Sequence, residues 1–361
     1  MRTRRISQNM KALALFSGGL DSLLSMYLVA SQGVEVTALH FNIGFGGNKD
    51  KLEYLQNATQ QIGVGLLVCD IQEQFFNEVL FEPKYGYGKY FNPCIDCHAN
   101  MFRQAFYKLL ELKADFVISG EVLGQRPKSQ RKEALGQVRK LVRGFGAEGC
   151  FDSILDRSGN NPSKPQFLDE LLLRPMSAQL LEPSFMEKQG WLDRAKLWDI
   201  QGRSRVRQLS KVQELGLKYY EKPGGGCLLT DLSVSAKLKD LQAHRQNTQQ
   251  QMVVQDNLIV KVGRYMVVGN TRVIVGRNEL ENAKLQVPHP LMDKIELLDC
   301  KGPLGLVEKC ASLEEKKLAA QIVLSYAKSE KERAYGVQVG AEVLHLNPLQ
   351  KEEAQKYLFM G

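Results

Sequence analysis

From residue 11 to about residue 175 the chain alternates short, mostly apolar runs with amphipathic stretches of helical period. The runs at 12–16, 34–41, 65–70, 116–119 and 171–174 have the length of strands. So continuous an apolar character predicts strands covered on both faces, hence a parallel α/β sheet with helical crossovers. Ligands of such sheets collect beyond the carboxyl ends of the strands, where residues 17–22, 42–48, 120–130 and 174–179 would project together. Residues 144–164, dense in Gly, Asn, Ser and Pro, read as an irregular insert. Residues 182–251 are polar and helical in pattern, broken at Pro223-Gly-Gly-Gly226. They read as an adaptor on a catalytic domain of residues 11–181. After Met252 the period becomes strand-like. Tyr265-Met-Val-Val268, the turn Gly269-Asn270 and Thr271-Arg-Val-Ile-Val275 predict a hairpin in a small α+β domain over 252–361.

Composition adds bounds. A chain of 361 residues, 43% hydrophobic and 24% charged, can fill two or three domain cores. No run is apolar enough for a membrane span. The basic arm of residues 1–10, opening Met1-Arg-Thr-Arg-Arg-Ile6, precedes only a strand-length apolar run and does not read as a cleaved signal, so a cytoplasmic protein with no membrane partner is expected. The net charge of +8 favours a polyanionic partner. Seven cysteines in a reducing compartment argue against a disulfide framework. Cys69, Cys150, Cys300 and Cys310 carry no ligand spacing.

The densest chemistry is Ser17-Gly-Gly-Leu-Asp-Ser22, between the first strand and the first helix. Gly18 and Gly19 let backbone N–H groups close on an anion, the helix N-terminus adds its positive dipole end, and Ser17 and Ser22 add hydroxyls. No Lys follows the glycines, and Asp21 would repel bare phosphate. A Mg²⁺ bridging carboxylate and nucleotide, or a capping role for Asp21, is therefore expected. The string resembles the PP-loop of the N-type ATP pyrophosphatases, which cleave ATP between the α and β phosphates and adenylate a carbonyl oxygen. The resemblance implies ATP on Ser17, Gly18, Gly19, Asp21 and Ser22.

Asn92-Pro-Cys-Ile-Asp-Cys-His98 sets two thiols at Cys-x-x-Cys spacing at the start of a helix, where the dipole is expected to lower both thiol pKa values. Zinc knuckle, redox pair, haem attachment and iron–sulfur or sulfur-carrier site all compete for this spacing. Haem attachment needs a secreted setting that the chain lacks, and His98 reads as a structural helix residue. Cys227, behind the glycine run, is the further cysteine in a comparably loop-like setting. Three thiolates leave one iron of a [4Fe-4S] cluster open, whereas Zn²⁺ needs a fourth ligand.

Residues 92–97 are similar to the Asn-Pro-Asp-x-x-Cys signature of the tRNA 2-thiouridylases, with Cys94 in place of the Asp. Ser119-Gly-Glu-Val-Leu-Gly-Gln-Arg-Pro-Lys-Ser-Gln130 resembles the Gly-Glu-x-Leu-Gly-Gln-x-x-Ser-Gln motif of the tRNA 4-thiouridine synthases. That motif implies further nucleotide contacts at Gly120, Gln125 and Ser129. Both families thiolate tRNA, and the resemblance implies an adenylating tRNA sulfurtransferase with Asp21, Cys94, Cys97 and Cys227 as its catalytic residues. The Cys-x-x-Cys plus distant Cys arrangement is that of the iron–sulfur-dependent tRNA thiolases, which implies a [4Fe-4S] cluster on the three cysteines. There is no length here for the N-terminal tRNA-binding module of the 4-thiouridine synthases, nor a rhodanese-like tail, so the sulfur donor is expected to be sulfide or a cysteine desulfurase product. A homodimer is compatible with this reading. Two other classes stay open: a PP-loop nucleobase or amide-forming synthase with Cys-bound zinc, and an RNA-binding protein with a vestigial ATPase.

Ile274-Val-Gly-Arg-Asn-Glu-Leu-Glu-Asn282 resembles the RNA-binding module of the NFACT proteins. It implies RNA contacts at Lys261, Arg264, Arg272 and Arg277, with Tyr265 and Lys284 beside them. The basic runs Arg126, Lys128, Arg131, Lys132 and Arg203, Arg205, Arg207 are ordinarily solvated faces, placed here near the expected nucleotide mouth.

Overall fold

The computed structural model describes residues 10–46, 51–156, 164–221 and 226–361. The basic arm up to residue 9, the tip of the 42–48 loop, part of the 144–164 insert and most of the glycine run ahead of Gly226 lie outside the described residues. The chain divides into two compact units, 1–227 and 228–361.

The first unit is built on five parallel strands: β1 Lys11–Leu15, β2 Glu35–Asn42, β3 Gly65–Asp70, β4 Phe116–Ile118 and β5 Leu172–Leu173. Each expected run is a strand, within two residues at either end. Their order is β3-β2-β1-β4-β5, every neighbouring pair parallel. The chain therefore reverses its winding between β1 and β4, and the crevice beyond their carboxyl ends is where a doubly wound sheet opens to a ligand. β1 is central and its Ala12, Leu13 and Ala14 are buried, which explains its lack of alternation. Helix Leu20–Ala30 follows β1, and its Leu20, Leu24 and Leu28 pack with Val122, Met176, Ile200 and Val212. Helix Cys94–Leu112 buries the stripe Ile95, Ala99, Phe102, Phe106 and Leu109, a helical repeat of three and four residues.

The second unit is a six-stranded antiparallel sheet of β6 Arg264–Val268, β7 Thr271–Val275, β8 Met292–Leu297, β9 Gly305–Glu308, β10 Tyr335–Val339 and β11 Glu342–Leu346. Its order is β11-β10-β8-β9-β7-β6. The expected hairpin is β6–β7, closed by Val268 opposite Thr271 with Gly269 at φ +58. Helix Leu313–Ser325, started by a Ser312/Glu315 capping box, lays Ala319, Ala320, Ile322, Val323 and Leu324 on the sheet.

The stretch 182–251, read from its polarity as one adaptor, is shared between the units instead. Helices Phe185–Lys188 and Val206–Glu214 and the residues to Cys227 belong to the first; helix Leu232–Asn247 belongs to the second. The reason is a charge cluster that polarity alone disguises as surface. Arg245 is fully buried, donating Nη1 to Glu308 Oε1 and Nη2 to Asp256 Oδ1 at 3.2 Å, while His244 Nε2 stands 2.7 Å from Glu308 Oε2. Removing one partner of so buried a network costs about 3–5 kcal/mol, so the helix is fixed to this sheet.

Candidate active site

The loop after β1 needs its glycines. Gly18 has φ +87, where a side chain is strained, and a Cβ there would also meet Leu55 at 3.1 Å. Gly19 is the N-cap of helix Leu20–Ala30 in extended conformation, and no side chain caps the helix. Asp21 therefore does not cap, contrary to one of the two roles expected of it. Ser22 Oγ donates to Gly19 O at 2.9 Å and lies 3.4 Å from Ser17 Oγ, so both hydroxyls line the turn. The first N–H groups of the helix are left for an anion.

Asp21 is held from both sides. Gln125 Nε2 donates to Oδ2, Gln208 Nε2 donates to Oδ1 at 3.4 Å, and Arg205 Nε stands 3.6 Å from Oδ2. Gln125, for which the motif implied a nucleotide contact, turns its amide to Asp21. Gln208 was not read from the sequence; its signal is a glutamine four residues before Val212 on the buried stripe of its helix. Gly120 presses on the loop helix, since a Cβ there would fall 2.6 Å from Ser22 Cα. Ser129 is buried in the same segment.

The loop also has a chain running beside it. Glu221 N donates to Gly18 O at 2.8 Å, and Gly19 and Glu221 form a parallel bridge. Six residues on, at most about 20 Å of extended chain, lies Cys227. Its thiol and that of Cys94 both lie near enough to Cys97 to oppose its ionisation. Cys94 opens helix Cys94–Leu112, and Asn92 Nδ2 donates to its sulfur at 3.1 Å. Cys97 sits one turn in and is buried. Here the expected lowering of both thiols fails for Cys97: burial pushes its pKa well up, with Cys227, Cys94 and Asp96 adding to the rise. Desolvation and like charges outweigh the helix dipole. Cys69 is half-buried, its pKa raised by burial, and Cys150 is exposed.

His98, expected as a structural residue of its helix, is tied to a buried carboxylate. Its Nδ1 donates to Glu121 Oε1 at 2.9 Å, and Glu121 Oε2 accepts from Arg174 Nε at 2.7 Å. Glu121 and Arg174 are both buried. Burial raises the Glu121 carboxyl, but Arg174 and His98 overcome it and hold its pKa at about 2. Nothing in the sequence pairs these residues, because they come from a helix and the ends of two strands.

In the second unit the RNA reading is divided. Arg272 is buried and committed to Asp240, Nε–Oδ2 at 2.7 Å and Nη2–Oδ1 at 2.9 Å, with the Tyr265 hydroxyl donating to the same carboxylate at 2.7 Å. These two, on β7 and β6, serve the fold, since both side chains bind Asp240 on helix Leu232–Asn247. Arg277 donates Nη2 to Gly263 O at 2.7 Å and has half its side chain exposed. Arg264 donates to Gly276 O and stacks over Tyr326 at 4.3 Å. Lys261 is half-buried, its pKa lowered to about 8 by burial and Lys284.

Residues 10–140 match the family model of the tRNA methyl transferase HUP domain, and residues 263–358 that of the NFACT protein RNA binding domain. The first unit is thus similar to a HUP domain and the second to an NFACT-type domain. Its relatives include a tRNA-specific 2-thiouridylase of Helicobacter hepaticus, 29% identical over 179 residues, covering 48% of each chain. Another, from Desulfosudis oleivorans, is 31% identical over 117 residues, covering 32% of each. The chain spans about half the length of these curated relatives, or less. Among solved structures, the U34-tRNA thiolase NcsA of Methanococcus maripaludis with its [4Fe-4S] cluster is 18% identical at a TM-score of 0.35, covering 71% of each chain. A 4-thiouridine synthetase–RNA complex with bound ATP is 18% identical at 0.32, covering 57% of this chain and 51% of that one. No described helix is long and apolar enough to cross a membrane.

Proposed function

We propose that the protein is an ATP-dependent tRNA sulfurtransferase, cytoplasmic, which adenylates a uridine carbonyl oxygen and replaces that oxygen with sulfur. The observation that carries this is the segment that runs from Glu221, bonded to the PP-loop, to Cys227, whose thiol with that of Cys94 acts on the charge of Cys97. Adenylation and sulfur delivery then share one mouth. The matched HUP and NFACT models and the 2-thiouridylase relatives support tRNA as the substrate.

ATP arrives as its Mg²⁺ complex. Ser17, Gly18, Gly19 and Ser22 receive the phosphates at the helix N-terminus and stabilise charge as pyrophosphate departs. Asp21, oriented by Gln125 and Gln208, is the carboxylate that would hold that Mg²⁺. Converting the carbonyl oxygen to an adenylate supplies a leaving group, and a sulfur nucleophile displaces AMP.

The three thiols fit a cluster by donor chemistry. A buried thiol whose ionisation is opposed by two neighbouring thiols is relieved by a bound cation. Among the described residues no three His, Cys, Asp or Glu side chains are arranged to hold a metal ion. Three thiolates would hold three irons of a [4Fe-4S] cluster and leave the fourth open, whereas Zn²⁺ needs a fourth ligand. When bound, the cluster would supply an open iron able to carry sulfide. Sulfide or a cysteine desulfurase would supply the sulfur, and a homodimer is compatible with the fold.

Nucleoside mass spectrometry of tRNA from cells lacking the gene tests the reading. Loss of one thiouridine is expected; an unchanged set of thiolated nucleosides overturns it.

A further inference from the structure

The Arg174 guanidinium is buried, with 6% of the residue exposed, and its Nη2 has no hydrogen-bond partner. A buried charged donor left open is costly unless a ligand completes it. The residue stands just past the carboxyl end of β5, on the side of the sheet where the PP-loop opens. Its Nε is occupied by Glu121 at 2.7 Å, and Glu121 is fastened on its other oxygen to His98, the neighbour of Cys97. Glu121 also follows Gly120, which lies against Ser22 of the loop. The Glu121–Arg174 pair is thus linked through Gly120 to the phosphate loop and through His98 to the helix that carries Cys94 and Cys97. A base adenylated at the loop and thiolated at the cysteines would pass beside both.

The charge of Arg174 is already balanced by Glu121, so the open Nη2 suits a neutral acceptor better than a phosphate. We propose that Arg174 is the residue that recognises the acceptor base, its Nη2 donating to a carbonyl oxygen of the pyrimidine. Glu121 acts through it as a positioning residue that fixes the fork. This inference rests on the sulfurtransferase reading and adds the contact that selects the base.

The test uses the full chain, ATP and an unmodified tRNA transcript. Arg174→Lys keeps the buried charge but loses the fork. It is expected to bind ATP within about twofold of wild type, while kcat/KM for tRNA-dependent AMP formation falls roughly 10–100-fold. The double variant Glu121→Gln/Arg174→Met removes both charges, so it leaves neither ion uncompensated, and the same split is expected. Unchanged tRNA-dependent rates in both variants overturn the inference. So does a parallel loss of ATP affinity, which would make Arg174 a phosphate ligand. Wild-type protein that binds ATP and forms no AMP with any tRNA overturns the sulfurtransferase reading, and the inference with it.

Discussion

Asp21 illustrates how a single residue changes meaning between string and structure. As a carboxylate beside glycines it suggests a metal; in the fold it also organises Gln125 and Gln208. Asp21→Ala is expected to cost about 1 kcal/mol of stability from the lost amide bonds, while ATP-dependent AMP formation falls by roughly two orders of magnitude. Thermal melts and AMP release measured on one preparation separate the two effects. Cysteine replacements divide as sharply. Cys94→Ala, Cys97→Ala and Cys227→Ala should each lose iron, sulfide and thiolation together and keep ATP binding, whereas Cys69→Ala and Cys150→Ala keep all of them. Equal metal content across the five proteins rules the cluster out. The Cys-x-x-Cys pair was legible because spacing is local. The electrostatics of Cys97 were not, because burial is set by the whole helix stripe beneath it.

Elements were the most legible level, for a physical reason. Strands buried on both faces must be apolar throughout, and the central Ala12-Leu-Ala14 of β1 shows this without ambiguity. The bridge of Glu221 to the loop had no such signature, since a one-residue pairing imposes no period. Where β4 ends, two expectations follow. A Cβ at Gly120 would meet the Ser22 backbone, which cannot yield as a side chain can. Gly120→Ala should therefore destabilise the protein by about 1–3 kcal/mol and weaken ATP binding; calorimetry reads both, and wild-type values would show that β4 and the loop helix are not in contact. Next to it, Glu121 has a folded pKa of about 2 against an ordinary 4.5. A depressed carboxylate stabilises the fold above its ordinary pKa and loses that contribution as the pH falls through its folded value. The unfolding free energy from urea titrations should therefore fall between about pH 5 and pH 2, by on the order of 3 kcal/mol in wild type. Glu121→Gln, less stable throughout, should lack that component.

For the whole molecule, the position of the divide matters more than its existence. A chain ending at Gln251 keeps helix Leu232–Asn247 without Glu308 and Asp256, leaving Arg245 and His244 with no buried partners. It is expected to aggregate, whereas a chain ending at Cys227 should stay soluble and bind ATP; sedimentation distinguishes them. The 227-residue form should bind tRNA more weakly than the full chain and with a shallower salt slope, in proportion to the phosphate contacts removed. An identical slope would assign the second unit another partner. Sequence texture placed the change at Met252 because it weighed polarity, and the buried Arg245 cluster is polar. There is a consequence for descent as well. Cys227 is the last residue before the second unit begins. A lineage that exchanged its RNA-binding half by recombination could keep a working sulfur centre only if the crossover fell after codon 227, so the third cysteine should be inherited with the HUP domain even where the partner domain has been replaced.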